Sequence, residues 1–369
     1  MGEPARVLLM ARALGLGGSE RQLALLAKHL DRRRFAPRVG CFQSEGVRGE
    51  ELLAAGVPVV TFPVRTFLGP AALAGARRMI RYLEEEQVAI VHTFDTPANL
   101  FGVPVARAAR TPVAISSQRA HRELAGGVRR HLLRLTDQVV DAIVVNCEFV
   151  KRHLVEDEKV PEARVRVCYN GIELDRFSPH GRREGEFGCA SVVIGTVCAL
   201  RPEKGLEVLL EAFARVRGYK SGVKLVIVGD GPSLEGLKGR AKALELGESC
   251  EFFRARSEVA DLLRGIDIFV LPSRSEALSN SLMEAMACGC CAVASRVGGN
   301  PELVADGKTG ILVAPGAVDE LAAALRFLME NDRPRRRLAE AGAEFVRTRF
   351  SHEASARRMA EVYSEFLEG

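Results

Sequence analysis

The sequence predicts an α/β protein built from two doubly wound domains, and three observations carry that expectation. Short β-branched apolar runs alternate with helical patterns along almost the whole chain, which is the mark of parallel sheets with helices on both faces. The 369 residues exceed what one hydrophobic core ordinarily organises and suit two domains of conventional size. A polar, Gly- and Arg-rich stretch, GRREGEFG (181–188), interrupts the alternation near the middle and reads as an interdomain linker. This divides the chain into 1–180 and 181–350, with a last helical segment, 351–369, that can cross back to the first domain.

Composition narrows the class. Apolar residues make up 47% and charged residues 27%, ordinary globular values. A formal charge of +5, without interleaved Arg and aromatic residues, gives no reason to expect nucleic acid. Residues 2–5 are short and polar, RVLLM is only a strand's length, and no apolar run approaches the roughly 18 residues of a membrane span. Nine cysteines, an odd number scattered through a long α/β chain, read as reduced thiols of a cytoplasmic protein. Cys288 and Cys291 form a C-x-x-C, but no second pair or nearby His completes a metal site, so packing at a helix end is expected there.

From the N-terminus, RVLLM (6–10) reads as a buried first strand. The loop that follows holds Gly15, Gly17 and Gly18, then Ser19 with Gln22 in the spacing of a capping box. Glycines there permit close backbone approach, but Glu20 leaves the dinucleotide fingerprint incomplete. PRVGCF, VPVVTF, AIVHTF, PVAISS, DAIVVN and RVRVCYN continue as strands with helices between them. His92 ends one of these strands, at the edge where an α/β sheet binds ligands; a satisfied structural histidine is the plain alternative. Asn170–Gly171 is a turn signal. Between Arg119 and Val139, Arg119, Arg122, Arg129, Arg130 and Arg134 accompany Val128, Leu132, Leu135 and Val139 at helical spacing. This pattern fits either a core-facing helix with a solvated basic face or a helix that docks on anionic lipid.

The second half opens with the strand SVVIGTV, followed by RPEKG and a helix. Arg201 and Lys204 at a strand's carboxyl end can hold a diphosphate, Arg through its fork and Lys as a point charge. KLVIVGDGP is a strand ending in a glycine turn at Gly229, and Leu234 replaces the third glycine of a dinucleotide site. DIFVLPS is a buried strand; Ser279 is a plausible N-cap, Leu282–Ala287 are helix formers, Gly289 stops the helix and CAVAS resumes a strand. Glu276 therefore sits on a strand-to-helix loop and Glu284, eight positions on, inside the helix. The GKT of residues 307–309 lacks the Walker glycine, and no D-x-D flanked by strands or H-E-x-x-H occurs.

These motifs resemble a known family. Glu276 and Glu284, with SEALSNSLMEAMACG and VGGNPELVADGKTGILV around them, resemble the Glu-x7-Glu region of glycosyltransferase family 4; GGSERQL, VNCEFVKRHLVE and RPEKG extend the likeness over nearly the whole chain. The resemblance implies a GT-B fold, with two Rossmann-like domains facing a cleft. It also implies retaining transfer of a hexosyl unit from a nucleotide diphosphate sugar, bound by the C-terminal domain, to a hydroxyl acceptor on the N-terminal one. Glu276 would then hold the donor sugar, and Glu284 the ribose. Arg201, Lys204 and backbone N–H groups of Ala277, Leu278 and Ser279 would hold the leaving diphosphate, and His92 would orient acceptor or sugar. Gly17, Gly18 and Gly229 would let backbone approach the donor. No cofactor or metal is implied. The acceptor would be a saccharide or lipid-linked group, as in lipopolysaccharide, exopolysaccharide or glycolipid synthesis, with an anionic membrane surface as a further partner. A nucleotide-sugar 2-epimerase of the same fold, or a non-catalytic sugar-nucleotide-binding protein, are the alternatives. Some relatives carry Arg where this chain has Ala199, and Phe94 stands where a second His often follows His92.

Overall fold

The structure, a computed structural model, describes residues 3–15, 17–64, 66–67, 69–119, 122, 126–181, 187–188, 190–256 and 258–368. It divides into two compact units, Met1–Gly171 with His352–Gly369, and Ile172–Ser351.

In the first unit the chain runs β1 (Ala5–Ala13), α1 (Gly18–His29), β2 (Phe35–Gln43), α2 (Val47–Ala54), β3 (Val59–Thr61), α3 (Pro70–Glu85), β4 (Ile90–Thr93), α4 (Thr96–Ala108), β5 (Val113–Gln118), α5 (Gly127–Val139), β6 (Ala142–Val145), α6 (Glu148–Arg152) and β7 (Val165–Val167). All pairings are parallel, in the order β3-β2-β1-β4-β5-β6-β7. The apolar run of β1 is explained by burial on both faces. Val7 and Leu9 join the core under α1 and the C-terminal helix, with Met359 and Tyr363. Leu8 and Met10 join the core under α3 and α4, with Met79 and Phe101.

The second unit runs β8 (Val192–Val197), α7 (Leu206–Val216), β9 (Val223–Val228), α8 (Leu234–Ala243), β10 (Cys250–Phe253), α9 (Ala260–Arg264), β11 (Ile268–Leu271), α10 (Asn280–Ala287), β12 (Cys291–Ser295), α11 (Asn300–Leu303), β13 (Ile311–Val313), α12 (Val318–Glu330) and α13 (Asp332–Arg349). Its sheet is also parallel, ordered β10-β9-β8-β11-β12-β13. Ile194, Leu225 and Ile227 pack with Leu209 and Phe213 of α7 and Leu325 and Leu328 of α12. The last helix, α14 (His352–Glu368), belongs to the first unit, where it packs on α1.

Two expectations change, the domain boundary and the capping box. The domain boundary falls at Gly171, nine residues before the expected 180, because Ile172 already bridges Ser351 and donates to the Phe350 carbonyl (2.9 Å) within the second unit. Of the expected linker, residues 182–186 lie outside the described residues. The Ser19–Gln22 capping box does not form: Gly17 is the N-cap of α1, and Gln22 instead donates to the Gly171 carbonyl (2.8 Å) and accepts from its N–H (2.9 Å). A buried amide that satisfies both backbone groups of a second segment outcompetes a solvated cap. Asn170–Gly171 is thus a docking point for α1 and α14, and a Cβ on Gly171 would lie 2.6 Å from His352 Cα.

The amphipathic helix is α5, and its apolar stripe does not face the core. Val128 is 77% exposed, and Leu132, Leu135 and Val139 are all exposed. The basic face is more neutralised than the sequence suggests. Arg122 is buried in a two-bond pair with Asp137 (2.6 and 2.8 Å), Arg130 and Arg134 both donate to the buried Glu158 (2.6 and 2.7 Å), and Arg119 donates to Asn170 (2.6 Å). Arg129 is exposed. No helix among the described residues is long and apolar enough to cross a membrane.

Candidate active site

Each sheet reverses its direction of growth beside its first strand, between β1 and β4 in the first unit and between β8 and β11 in the second. At such a switch point the loops leaving adjacent strands diverge and open a crevice at the carboxyl ends. In the second unit these loops carry most of the candidate residues.

After β8 the chain passes through a short 3₁₀ turn, Pro202–Lys204, before α7 begins at Leu206. After β11 the loop holds Ser273, Glu276, Ala277 and Leu278, and Ser279 caps α10 by accepting from Leu282 N–H (3.3 Å). Across the switch point, Lys204 Nζ donates to Glu276 Oε1, and Ser273 Oγ donates to the same oxygen at 2.9 Å. Both partners of the ion pair are largely shielded from solvent, so their charges act in a medium less screening than water. Arg201 stands apart: its side chain is 63% exposed and only 3.9 Å from Glu203. Lys204 and Glu276 are therefore brought together, and Arg201 is not joined to them.

Two glycines hold the loops. Gly298 has φ +56°, and a Cβ there would lie 1.9 Å from the Glu276 carbonyl oxygen, while Gly299 N–H donates to the Ala277 carbonyl (2.7 Å). Gly229 lies against the loop after β8, where a Cβ would be 1.9 Å from the Cys198 carbonyl oxygen. Only glycine allows such approach without moving backbone. Gly229 therefore serves loop packing, and the 298–299 turn fixes the height of Glu276. Glu284 is buried on the second turn of α10. Cys288 and Cys291 are buried and burial pushes each thiol up to about 12, so both remain protonated packing groups near neutral pH.

In the first unit, Gly17 and Gly18 form the start of α1, next to the switch point. His92, expected at the ligand-facing edge of the sheet, is enclosed. It is 0% exposed, its Nδ1 is bonded to Tyr363 Oη (2.7 Å), its Nε2 to Ser117 Oγ (2.9 Å), and Phe94 packs on the ring (4.4 Å between centroids). Burial, with Arg119 nearby, pushes its pKa well below the ordinary 6.5, so the imidazole is neutral. Ser117 in turn bonds Asn99 through its carbonyl (3.0 Å), and Asn99 accepts from Thr93 (2.6 Å). His92 thus ties β4 and β5 to α14. Asp95, three positions on, accepts from Ala98 N–H (2.8 Å) as cap of α4 and from Arg12 N–H (2.6 Å) at the end of β1.

Ser273 and the 298–299 turn carry no signal of their own in the sequence, although both lie within a few residues of recognisable motifs. Among the described residues no group of three or more His, Cys, Asp or Glu is placed to hold a metal ion.

Known proteins share both this sequence pattern and this architecture. Residues 183–345 match the family described as "Glycosyl transferases group 1", and residues 16–176 the one described as "Glycosyltransferase Family 4". The chain is 31% identical over 283 residues to the D-inositol 3-phosphate glycosyltransferase of Segniliparus rotundus, covering 73% of this chain and 62% of that relative. The chain thus spans less than two thirds of that relative's length. With the D-inositol 3-phosphate glycosyltransferase of Corynebacterium efficiens it shares 31% identity over 285 residues, 72% of this chain and 67% of the relative. The crystal structure of Anabaena HepE in complex with UDP and glucose superposes with a TM-score of 0.86 at 22% identity, covering 97% of this chain and 99% of that one.

Proposed function

Because the chain belongs to glycosyltransferase family 4 and has the GT-B fold, we propose that it is a retaining glycosyltransferase that moves a hexosyl unit from a nucleotide diphosphate sugar to a hydroxyl acceptor. The observation that carries this reading is the Lys204–Glu276 pair at the switch point of the second sheet. One group is a cation suited to a leaving diphosphate, and the other is a carboxylate suited to sugar hydroxyls. HepE, a protein of the same fold, binds UDP and glucose.

In this reading the chemical difficulty is charge separation: the diphosphate gains negative charge as the sugar becomes oxocarbenium-like. Lys204, with Arg201 and the backbone N–H groups of Ala277–Ser279, stabilises the leaving group. Glu276 holds the sugar hydroxyls and Glu284 the ribose. The departing phosphate accepts the acceptor's proton, so the enclosed His92 need not act as a base. Its part is to fix β4, β5 and α14 around the acceptor side. No metal is required when cationic side chains meet the diphosphate, so excess chelator leaves turnover within about twofold. A collapse rescued by Mn²⁺ or Mg²⁺ would overturn that.

The same reading places the protein in the cytoplasm, in cell-envelope glycan or glycolipid synthesis, and the exposed stripe of α5 supports only its membrane-peripheral part. The deciding experiment offers UDP-, GDP- and ADP-hexoses to the full-length protein. Release of nucleotide diphosphate, and an α-linked product from an α-linked donor, are expected. If no nucleotide sugar is bound or turned over, the proposal falls.

A further inference from the structure

Resting on that reading, we infer that Ser273 is a positioning residue that fixes how Glu276 meets the donor: it holds one carboxylate oxygen inward and leaves only the other, Oε2, for sugar hydroxyls. Ser273 is 0% exposed and stands two residues past the end of β11 at Leu271. Both of its neighbours are fastened to the turn that carries Lys204. A Cβ on Gly205 would lie only 2.4 Å from the Pro272 carbonyl oxygen, and Arg274 N–H donates to the Glu203 carbonyl (2.8 Å). Gly205 has φ +61°, so both its conformation and this approach call for glycine. With the backbone held on either side and the side chain enclosed, the hydroxyl is aimed at Glu276.

The two oxygens of that carboxylate differ. Oε1 accepts from Ser273 Oγ (2.9 Å) and from Lys204 Nζ, and two donors occupy both of its lone pairs. Oε2 has no hydrogen-bond partner among the described residues, and it is not buried. An ionised carboxylate only accepts, so Oε2 is suited to the O–H groups of a hexose, and its two lone pairs engage at most two of them. Lys204 gives one of its three N–H donors to Oε1, which leaves two for phosphate oxygens. Lys204 alone, on a flexible stem, does not fix the carboxylate plane. The last torsion of a glutamate is broad and roughly two-fold, so without the Ser273 bond either oxygen can turn toward the sugar. Holding one orientation before the donor arrives is pre-organisation, and its loss falls on kcat.

The test uses the full-length protein and its S273A, E276A and S273A/E276A variants. The probes are UDP-glucose, GDP-mannose and the monodeoxy analogues of each sugar, with release of nucleoside diphosphate followed across donor concentrations. S273A should lower kcat on the order of 10-fold, the effect of one hydrogen bond to a charged group, with a smaller change in donor KM. In the E276A background the same substitution should change kcat by less than about twofold, because Ser273 acts only through the carboxylate. Sensitivity to deoxygenation should vanish in E276A at one or two ring positions, and S273A should blunt it at those same positions. An S273A defect that adds in full to that of E276A, or that is equal for every analogue, marks a merely structural serine and overturns the inference. Should S273A fail to fold, S273C takes its place, and wild type against E276A still decides: sensitivity lost at no position, or at three or more, overturns presentation through Oε2 alone. Wild-type kcat in S273A removes only this role, whereas wild type that neither binds nor turns over any nucleotide sugar removes the functional reading.

Discussion

Lys204 and Glu276 close an ion pair across the two loops that leave β8 and β11, with Ser273 donating to the same carboxylate oxygen at 2.9 Å. Each group is the other's partner here, and on the proposed reading a donor would supply new ones, a diphosphate for the lysine and hydroxyls for the carboxylate. Lys204→Gln keeps a hydrogen-bond donor for Glu276 but removes the charge that meets the leaving group. The expected outcome is a fall in kcat of roughly 10²-fold, the usual effect of losing one positioned electrostatic group. Steady-state donor hydrolysis measures it, and an unchanged kcat would take Lys204 out of the reaction.

The two glutamates should separate kinetically. On the proposed roles, Glu276 would face the group whose charge changes, whereas Glu284, a turn into α10, would reach a ribose that does not change. Interactions equal in ground and transition states alter KM, and those that strengthen in the transition state alter kcat. Glu276→Gln should lower kcat by roughly 10²-fold. Glu284→Gln should mainly raise donor KM, by an amount matching about 1.5–3 kcal/mol for a charged hydrogen bond. Reversed effects would reverse the assignment.

Gly298 offers a test remote from any charge. Its φ is left-handed, and a Cβ at this position would come within 1.9 Å of the Glu276 carbonyl oxygen, so Ala cannot fit without pushing that loop away. Gly298→Ala should cost about 1–3 kcal/mol of stability and reduce turnover while Lys204 and Glu276 are both intact. Thermal melts and kinetics together check it; wild-type turnover in a folded variant would show that loop height is unimportant.

How much of this is legible in the sequence depends on the range of the interaction. Strands such as CAVAS and the Ser279 cap announce themselves within a few residues, as does the Glu276 loop. β10 (Cys250–Phe253) escapes such reading because its four residues lack alternation and flank a polar stretch. Gln22 reads as half of a capping box because Ser19 stands at the right spacing, while its real partner, Gly171, lies 149 positions away. His92 can be placed at a strand's end from sequence, but only the return of α14 with Tyr363 shows that the ring is closed off.

That closure predicts a pH dependence of stability rather than of catalysis. His92 has a folded pKa well below its ordinary 6.5, so the unfolded chain binds the proton more readily. Its contribution is therefore fully present above about pH 6.5 and is lost as pH falls from there toward the depressed folded value. Denaturant titrations of wild type and His92→Asn should diverge above pH 6.5 and converge as it drops. Tyr363→Phe, which removes the partner of Nδ1, should cost about 1–3 kcal/mol at neutral pH. Parallel curves for wild type and His92→Asn across pH 5–7 would contradict this account.

Helix α5 carries the last expectation. A folded chain gains nothing from holding Val128, Leu132, Leu135 and Val139 in water along one stripe, unless something covers them. Arg129 is exposed beside the stripe, and Arg130 and Arg134 reach outward while pairing with the enclosed Glu158, so the flanks are cationic. Apolar residues flanked by arginines suit the interface of an anionic bilayer, where each basic residue contributes about 1 kcal/mol. Co-sedimentation with vesicles should rise with anionic lipid content and fall with salt. Replacing both Leu132 and Leu135 by Ser should weaken it about tenfold or more, since roughly 1.5–3 kcal/mol of apolar burial is lost per leucine. Folding should change by only about 0.5 kcal/mol per site, because both side chains are already exposed. Equal binding to neutral vesicles, or none to either kind, would leave the stripe to a protein partner instead.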